Sequence, residues 1–200
     1  PGAIGRAMAA FEANPDWIMC YGHGEHVDER GQPLGRYPTR KPEVGLAGFL
    51  NGCFICQPSV FFKQTMPMLL GFLDEKQKTS FDYEYWMRAF RAFPERIGFI
   101  DAVQAQSRLH EDCITMRMRR TVAVEGVRLS HAYFGTAATH WLTTYLEDVA
   151  RLPDDERGFA DLGAHIRELG RELEGVLSAD QSDWLEGMAV QMHAVSAVGR

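Results

Sequence analysis

Apolar positions begin the chain at helical spacing, break into short strand-like runs, and return to helical spacing for good after residue 112. Ile4, Met8 and Phe11 share one helical face that Asn14-Pro15 ends, with Pro1 at the position favoured for a helix start. Trp17 to Tyr21 predicts a short buried strand, and Glu29 to Gln32 within the polar stretch that follows predicts a hairpin turn. Cys53 to Phe62, broken by Pro58, predicts a strand or bent strand, and Gln64 to Leu70 a short helix stopped at Gly71. Tyr83, Trp86, Met87 and Phe90 give clear helical spacing, and two strand-like runs follow, Ile97 to Ile100 and Val103 to Leu109. Strands and helices therefore mix over residues 1–112, as in an α/β or α+β layer.

The remainder, residues 113–200, reads as an all-helical tail. Ile114, Met118, Val122, Leu129 and Tyr133 mark one helix, and Trp141, Leu142, Tyr145, Leu146 and Val149 a second. Phe159, Leu162, Ile166, Leu169, Leu173 and Val176 alternate at 3 and 4, a seam for packing on another helix. A last helix carries Trp184, Met188, Met192 and Val195, with Ser178 and Gln181 spaced as a capping box.

Composition adds bounds. With 46% hydrophobic and 24% charged residues the chain can form a core. Net charge is −6, and both parts are acidic: 12 basic against 14 acidic residues up to Asp112, then 9 against 13. That balance argues against nucleic acid as a partner. Four cysteines in 200 residues do not make a disulfide framework, and a reducing, cytoplasmic setting follows. No apolar run reaches the ~20 residues that cross a bilayer.

Candidate chemistry is sparse. Asp82 opens the aromatic helix, where a carboxylate can cap exposed amides or serve as a general base. His110 closes the last strand-like run and is a candidate metal ligand or a plain surface histidine. His23 and His26, with Glu25 and Asp28, look ligand-like but match no zinc spacing. Cys53 and Cys56 stand at C-x-x-C spacing without a second pair, inside an apolar run, and read as buried thiols.

Taken in order, four blocks resemble family 2 glycosyltransferases with the GT-A fold. They are Asn51 to Lys63 ("NGCFICQPSVFFK"), Gly71 to Glu75 ("GFLDE"), Phe81 to Arg88 ("FDYEYWMR") and Gln106 to Asp112 ("QSRLHED"). The family pattern there is an asparagine and Gln-Pro segment, a "GGFDE" turn, a "DYDLWLR" helix start and an Arg-x-His. Residues 1–40 also resemble the region after that family's Asp-x-Asp motif. Two departures stand out: Leu70 occupies the place of the first glycine, and Glu84 stands where aspartate is commoner.

The resemblance implies a partial GT-A-type mixed sheet with flanking helices over residues 1–112, followed by a helical extension over 113–200. It implies an inverting transfer from a nucleotide sugar to a hydroxyl, on a glycan or lipid-linked acceptor, in polysaccharide or glycoconjugate synthesis. By position Asp82 matches the catalytic base, Asn51, Gln57 and Trp86 the substrate cleft, and His110 a ligand to a divalent metal, Mg or Mn. The remaining metal ligands and the nucleotide-binding strands are expected upstream of Pro1, so this piece alone is expected to be inactive. Association with the inner face of a membrane, and a homo-oligomer formed through the tail, are further expectations. The alternative is a non-catalytic helical interaction module that presents the Phe159 to Val176 seam to a partner.

Overall fold

The computed structural model describes residues 2–110, 112–153 and 156–198, with side chains to 192. Two compact units divide between Met118 and Arg119.

The first unit is built on one strand. β1 (Met19–Val27) pairs in parallel with β4 (Ile97–Arg108) along its whole length. Its other edge is shared by two short antiparallel partners. β2 (Pro33–Arg36) pairs with its second half and β3 (Phe61–Phe62) with its first. The mixed sheet agrees with the α/β reading. β1 runs farther than the apolar Trp17 to Tyr21 run because the polar residues beyond it sit at a sheet end, where one face is open to water. The turn between β1 and β2 is fixed by the Asp28 carboxylate, which accepts from the Arg30 and Gln32 amides at 2.9 and 2.7 Å. Gly31 there adopts a positive φ of 81°, which its lack of Cβ allows.

Two local readings differ from the fold, and the apolar face of the first helix turns largely to water. Cys53 to Phe62 is no continuous strand: Gln57–Ser59 makes a 3-10 turn, and only Phe61 and Phe62 join the sheet. Pro58 removes a ladder donor and favours that turn. The two runs after Ile97 form one strand, because register shifts near Gly22 to Gly24 absorb the break between them. Ile4 and Met8 of α1 (Ala3–Ala13) do not face the core and are 71% and 56% exposed. Ala7 is buried instead, and Arg6 reaches β4, donating to Gln104 Oε1 at 2.6 Å and Val103 O at 2.8 Å.

The core of this unit is aromatic. Phe49 packs on Phe54 and Phe90 at 4.2 and 5.0 Å between ring centres, and Tyr21 on Phe99 at 5.4 Å. α2 (Thr65–Leu70) and α3 (Phe81–Ala92) complete it, with Tyr83, Tyr85, Trp86, Met87 and Phe90 all buried. Burying each large ring contributes ~1.5–3 kcal/mol, enough to fix α3 against the sheet.

The helix expected from Ile114 to Tyr133 is interrupted at Met118, giving α4 (Ile114–Arg117), which belongs to the first unit, and α5 (Arg119–Phe134), which opens the second. α6 (His140–Arg151), α7 (Leu162–Glu172) and α8 (Ala179–Val198) follow. Leu162, Ile166, Leu169 and Leu173 are buried in one core with Val124 and Val127 of α5, Leu142 and Leu146 of α6, and Leu185 of α8. The seam is thus covered by the unit's own helices. Val195 lies beyond the described side chains.

Candidate active site

The 12 residues of α3 begin at Phe81, so Asp82 sits inside the first turn rather than at the cap, which Ser80 occupies. Its carboxylate accepts the Tyr83 amide at 2.7 Å. Burial raises its pKa, while backbone N–H donors pull the other way. Desolvation wins. The result is a carboxylate more basic than an exposed one, despite its place at a helix start.

The neighbours of Asp82 come from residues scattered in the sequence. Its charge acts on Tyr37, Cys53 and Cys56. Burial first, then that charge, pushes the Cys53 thiol up to about 12 and the Cys56 thiol to about 11. Both are free and protonated at neutral pH, unsuited to soft-metal or redox work. Tyr37 donates its hydroxyl to Cys53 O at 2.9 Å, and its ring packs on His26 at 5.4 Å. Gly24 of β1 makes room for this cluster: a Cβ there would lie 2.3 Å from Cys56 Sγ and 3.4 Å from Tyr37 Cβ.

The other sequence candidates scatter around it. Asn51 and Gln57 are exposed, and they bracket the Cys53 to Cys56 segment beside Asp82. Trp86, one turn farther along α3, is 4% exposed, and its indole N–H has no partner among the described residues. His110 lies just past β4, half-buried, and its backbone carbonyl accepts the Cys113 amide at 3.1 Å. Its ring forms no hydrogen bond or ion pair among the described residues, and nothing there links it to Asp82.

The histidine patch disperses. His23 pairs with Asp101 at 3.0 Å, His26 packs at a tilt on Tyr37, and Asp28 holds its own turn. Among the described residues no group of three or more His, Cys, Asp or Glu side chains could hold a metal ion. His110 therefore stands among the described residues as a single potential ligand, outside any such group.

Sequence reasoning passed over Tyr37, whose only signal was its place in a proline-bounded loop. It flagged Cys53 and Cys56 as buried but gave no sign that they flank Asp82.

No family model matches the chain. Over 110 residues, 50% of its length, it is 31% identical to an uncharacterized glycosyltransferase of Rickettsia conorii, of which that stretch is 17%. Over 107 residues, 48% of its length, it is 30% identical to an uncharacterized glycosyltransferase of Rickettsia prowazekii, of which that is 31%. The chain is thus a distant relative of proteins named glycosyltransferases, and it spans less than a third of either. No described helix is long and apolar enough to cross a membrane.

Proposed function

We propose that this chain forms the acceptor-side part of an inverting, family 2-like glycosyltransferase, with Asp82 as the general base. The observation that carries this reading is Asp82 itself: a carboxylate held by a helix amide and made more basic by burial, in a chain related to named glycosyltransferases. In the proposed step an acceptor hydroxyl gives its proton to an Asp82 oxygen. The hydroxyl oxygen forms a bond to the anomeric carbon, and the bond from that carbon to the nucleoside diphosphate breaks. The diphosphate leaves with the bonding pair.

Tyr37 fixes the Cys53 carbonyl and so holds the wall beside the base. The uncharged thiols and the buried rings behind them keep water from levelling its basicity. Asn51 and Gln57, exposed on either side of that wall, are proposed to hydrogen-bond sugar hydroxyls, and Trp86 to line the same cleft. A divalent metal would neutralise the departing diphosphate, with His110 as its one proposed ligand from this chain. Donor binding is assigned outside these residues, and the chain by itself is expected to show no transfer.

The test is Asp82→Asn in the longest form of the protein, assayed for sugar transfer from a nucleotide-sugar panel. The amide keeps the shape and cannot take a proton. Turnover should fall by about 10²–10⁴-fold with KM little changed. Full activity in the variant would remove Asp82 from the chemistry.

The alternative of a helical interaction module needs the Phe159 to Val176 seam to be open. Four of its six residues lie in the second unit's own core, and Phe159 and Val176 pack against it. The seam supports that reading no further.

A further inference from the structure

We propose that the loop after α2 is a tip by which this protein enters the surface of an anionic lipid bilayer. Met68, Leu69, Phe72 and Leu73 fall within six consecutive residues, and all four are exposed. Met68 and Phe72 are 79% and 84% exposed, Leu69 and Leu73 49% and 46%. Gly71 between them is exposed as well, so the segment is a promontory rather than one stripe of a helix. Single apolar side chains on a surface are ordinary, whereas several gathered at one place mark a contact site.

The backbone of this tip is fixed. Met66 anchors α2 in the core, and the Gly71 amide closes the helix on Pro67 O at 2.9 Å. From α3, the Tyr85 hydroxyl donates to Gly71 O at 3.0 Å, and the Arg88 guanidinium donates to Leu70 O at 2.8 Å and to Phe72 O at 3.0 Å. Arg88 is set in turn by Glu84, which accepts from its Nε at 3.1 Å, and by the Tyr85 ring at 4.9 Å. Three successive carbonyls are thus held while the side chains around them stay in water. The half-exposed Phe62 ring meets Tyr85 at 6.4 Å between centres and extends the apolar surface to β3.

Shape and charge select the occupant. A protein partner would need a pocket cut for a convex tip, whereas a bilayer interface yields around Leu, Met and Phe side chains. Lys76 and Lys78 follow the tip directly, and both are exposed. With Lys63, residues 62–78 hold three lysines against Asp74 and Glu75, a positive stretch in a chain of net charge −6. Asp74 is half-buried, and its carboxylate accepts the Lys76 amide at 3.0 Å. Lysines beside an apolar tip suit anionic headgroups.

The helix that holds the tip also carries the proposed base. Asp82 and Arg88 are six positions apart on α3, roughly 9 Å along its axis. An interfacial segment sinks about 5–10 Å into the headgroup region, so docking would keep Asp82 close to the lipid surface. The membrane contact stands on the exposure and pinning of the loop. Its consequence, an acceptor hydroxyl on a lipid-linked glycan, rests on the glycosyltransferase reading.

The test is flotation of the chain with vesicles of equal parts phosphatidylglycerol and phosphatidylcholine, and with vesicles of phosphatidylcholine alone. F72S/L73S removes the tip. L34S removes an exposed apolar side chain from β2, which pairs with the opposite half of β1 from β3. Both variants change exposed residues, and matching melting curves confirm that each is folded. The parent and L34S should float with the mixed vesicles, and F72S/L73S should bind them about tenfold more weakly. The parent should bind phosphatidylcholine alone less well than the mixture. No flotation of the parent, equal flotation of F72S/L73S, or no preference for the anionic vesicles overturns the inference. So does a parent that stays unbound and forms dimers that F72S/L73S does not, since the tip would then belong to a second copy. The base is judged apart, because Asp82→Asn should float like the parent. Loss of transfer in that variant beside a parent that does not float sinks only the membrane contact, and full transfer beside flotation sinks only the base.

Discussion

A carboxylate made basic by burial has a cost that can be measured at a single residue. The pKa of Asp82 in the fold lies above its usual 3.8, so between those two values the folded chain holds more protons than the unfolded one. Stability from this group therefore falls as pH rises from below 3.8 through the folded pKa, and at neutral pH the ionised group is a burden. Asp82→Asn should raise the melting temperature at pH 7 while removing transfer, and the two midpoints should converge near pH 3. An unchanged midpoint at pH 7 would contradict the burial assigned to this side chain. In the active protein the rate should drop with acid as Asp82 takes up its proton. Gly24 sets a second limit at this scale. The Cβ of Gly24→Ala would lie 2.3 Å from Cys56 Sγ and 2.5 Å from Cys56 Cβ, so turning the thiol aside cannot relieve the clash. That variant should lose ~1–3 kcal/mol by urea denaturation.

Among the elements, α8 shows how much a short motif can decide. Ser178 and Gln181 form the expected capping box: the Ser178 amide donates to Gln181 Oε1 at 2.9 Å, and the Gln181 amide to Ser178 Oγ at 3.3 Å. Ser178→Ala should cost ~1 kcal/mol, read by circular dichroism during denaturation. α7 carries a group whose role depends on its partners. His165 stacks on Phe159 at 3.9 Å and meets the Tyr145 hydroxyl at 2.8 Å through Nε2. Burial and the nearby Arg120 lower its pKa below the usual 6.5, against an opposing pull from Glu168. The unfolded chain therefore takes up the proton first, and the stability from neutral His165 is present above pH 6.5 and lost as pH falls through the folded value. Melting of the parent should drop between pH 7 and 5 more steeply than that of His165→Gln. Parallel curves would remove the histidine as the cause.

For the molecule as a whole, each unit draws on its own core. The buried cluster of the second unit contains only residues from Ala123 to Ala189. A chain of residues 119–200 should fold alone, with helical circular dichroism and a cooperative melt. A spectrum of mostly unfolded chain would show that its core needs the first unit. Four of the elements in this unit were legible beforehand, because their apolar faces repeat at a helix period and each is long enough to average out exceptions. The break at Met118 was not, since nothing in the apolar pattern marks it.

Sequence alone determined the start of α3 with its acid, the Gly71 stop of α2 and the capping box of α8. These depend on neighbours within a few residues, where backbone geometry is fixed by local chemistry. Tertiary structure decided what surrounds Asp82, which face of α1 meets water, and that Phe62 meets Tyr85. Those facts join residues tens of positions apart, and a one-dimensional pattern carries no record of which distant side chains a buried group will meet.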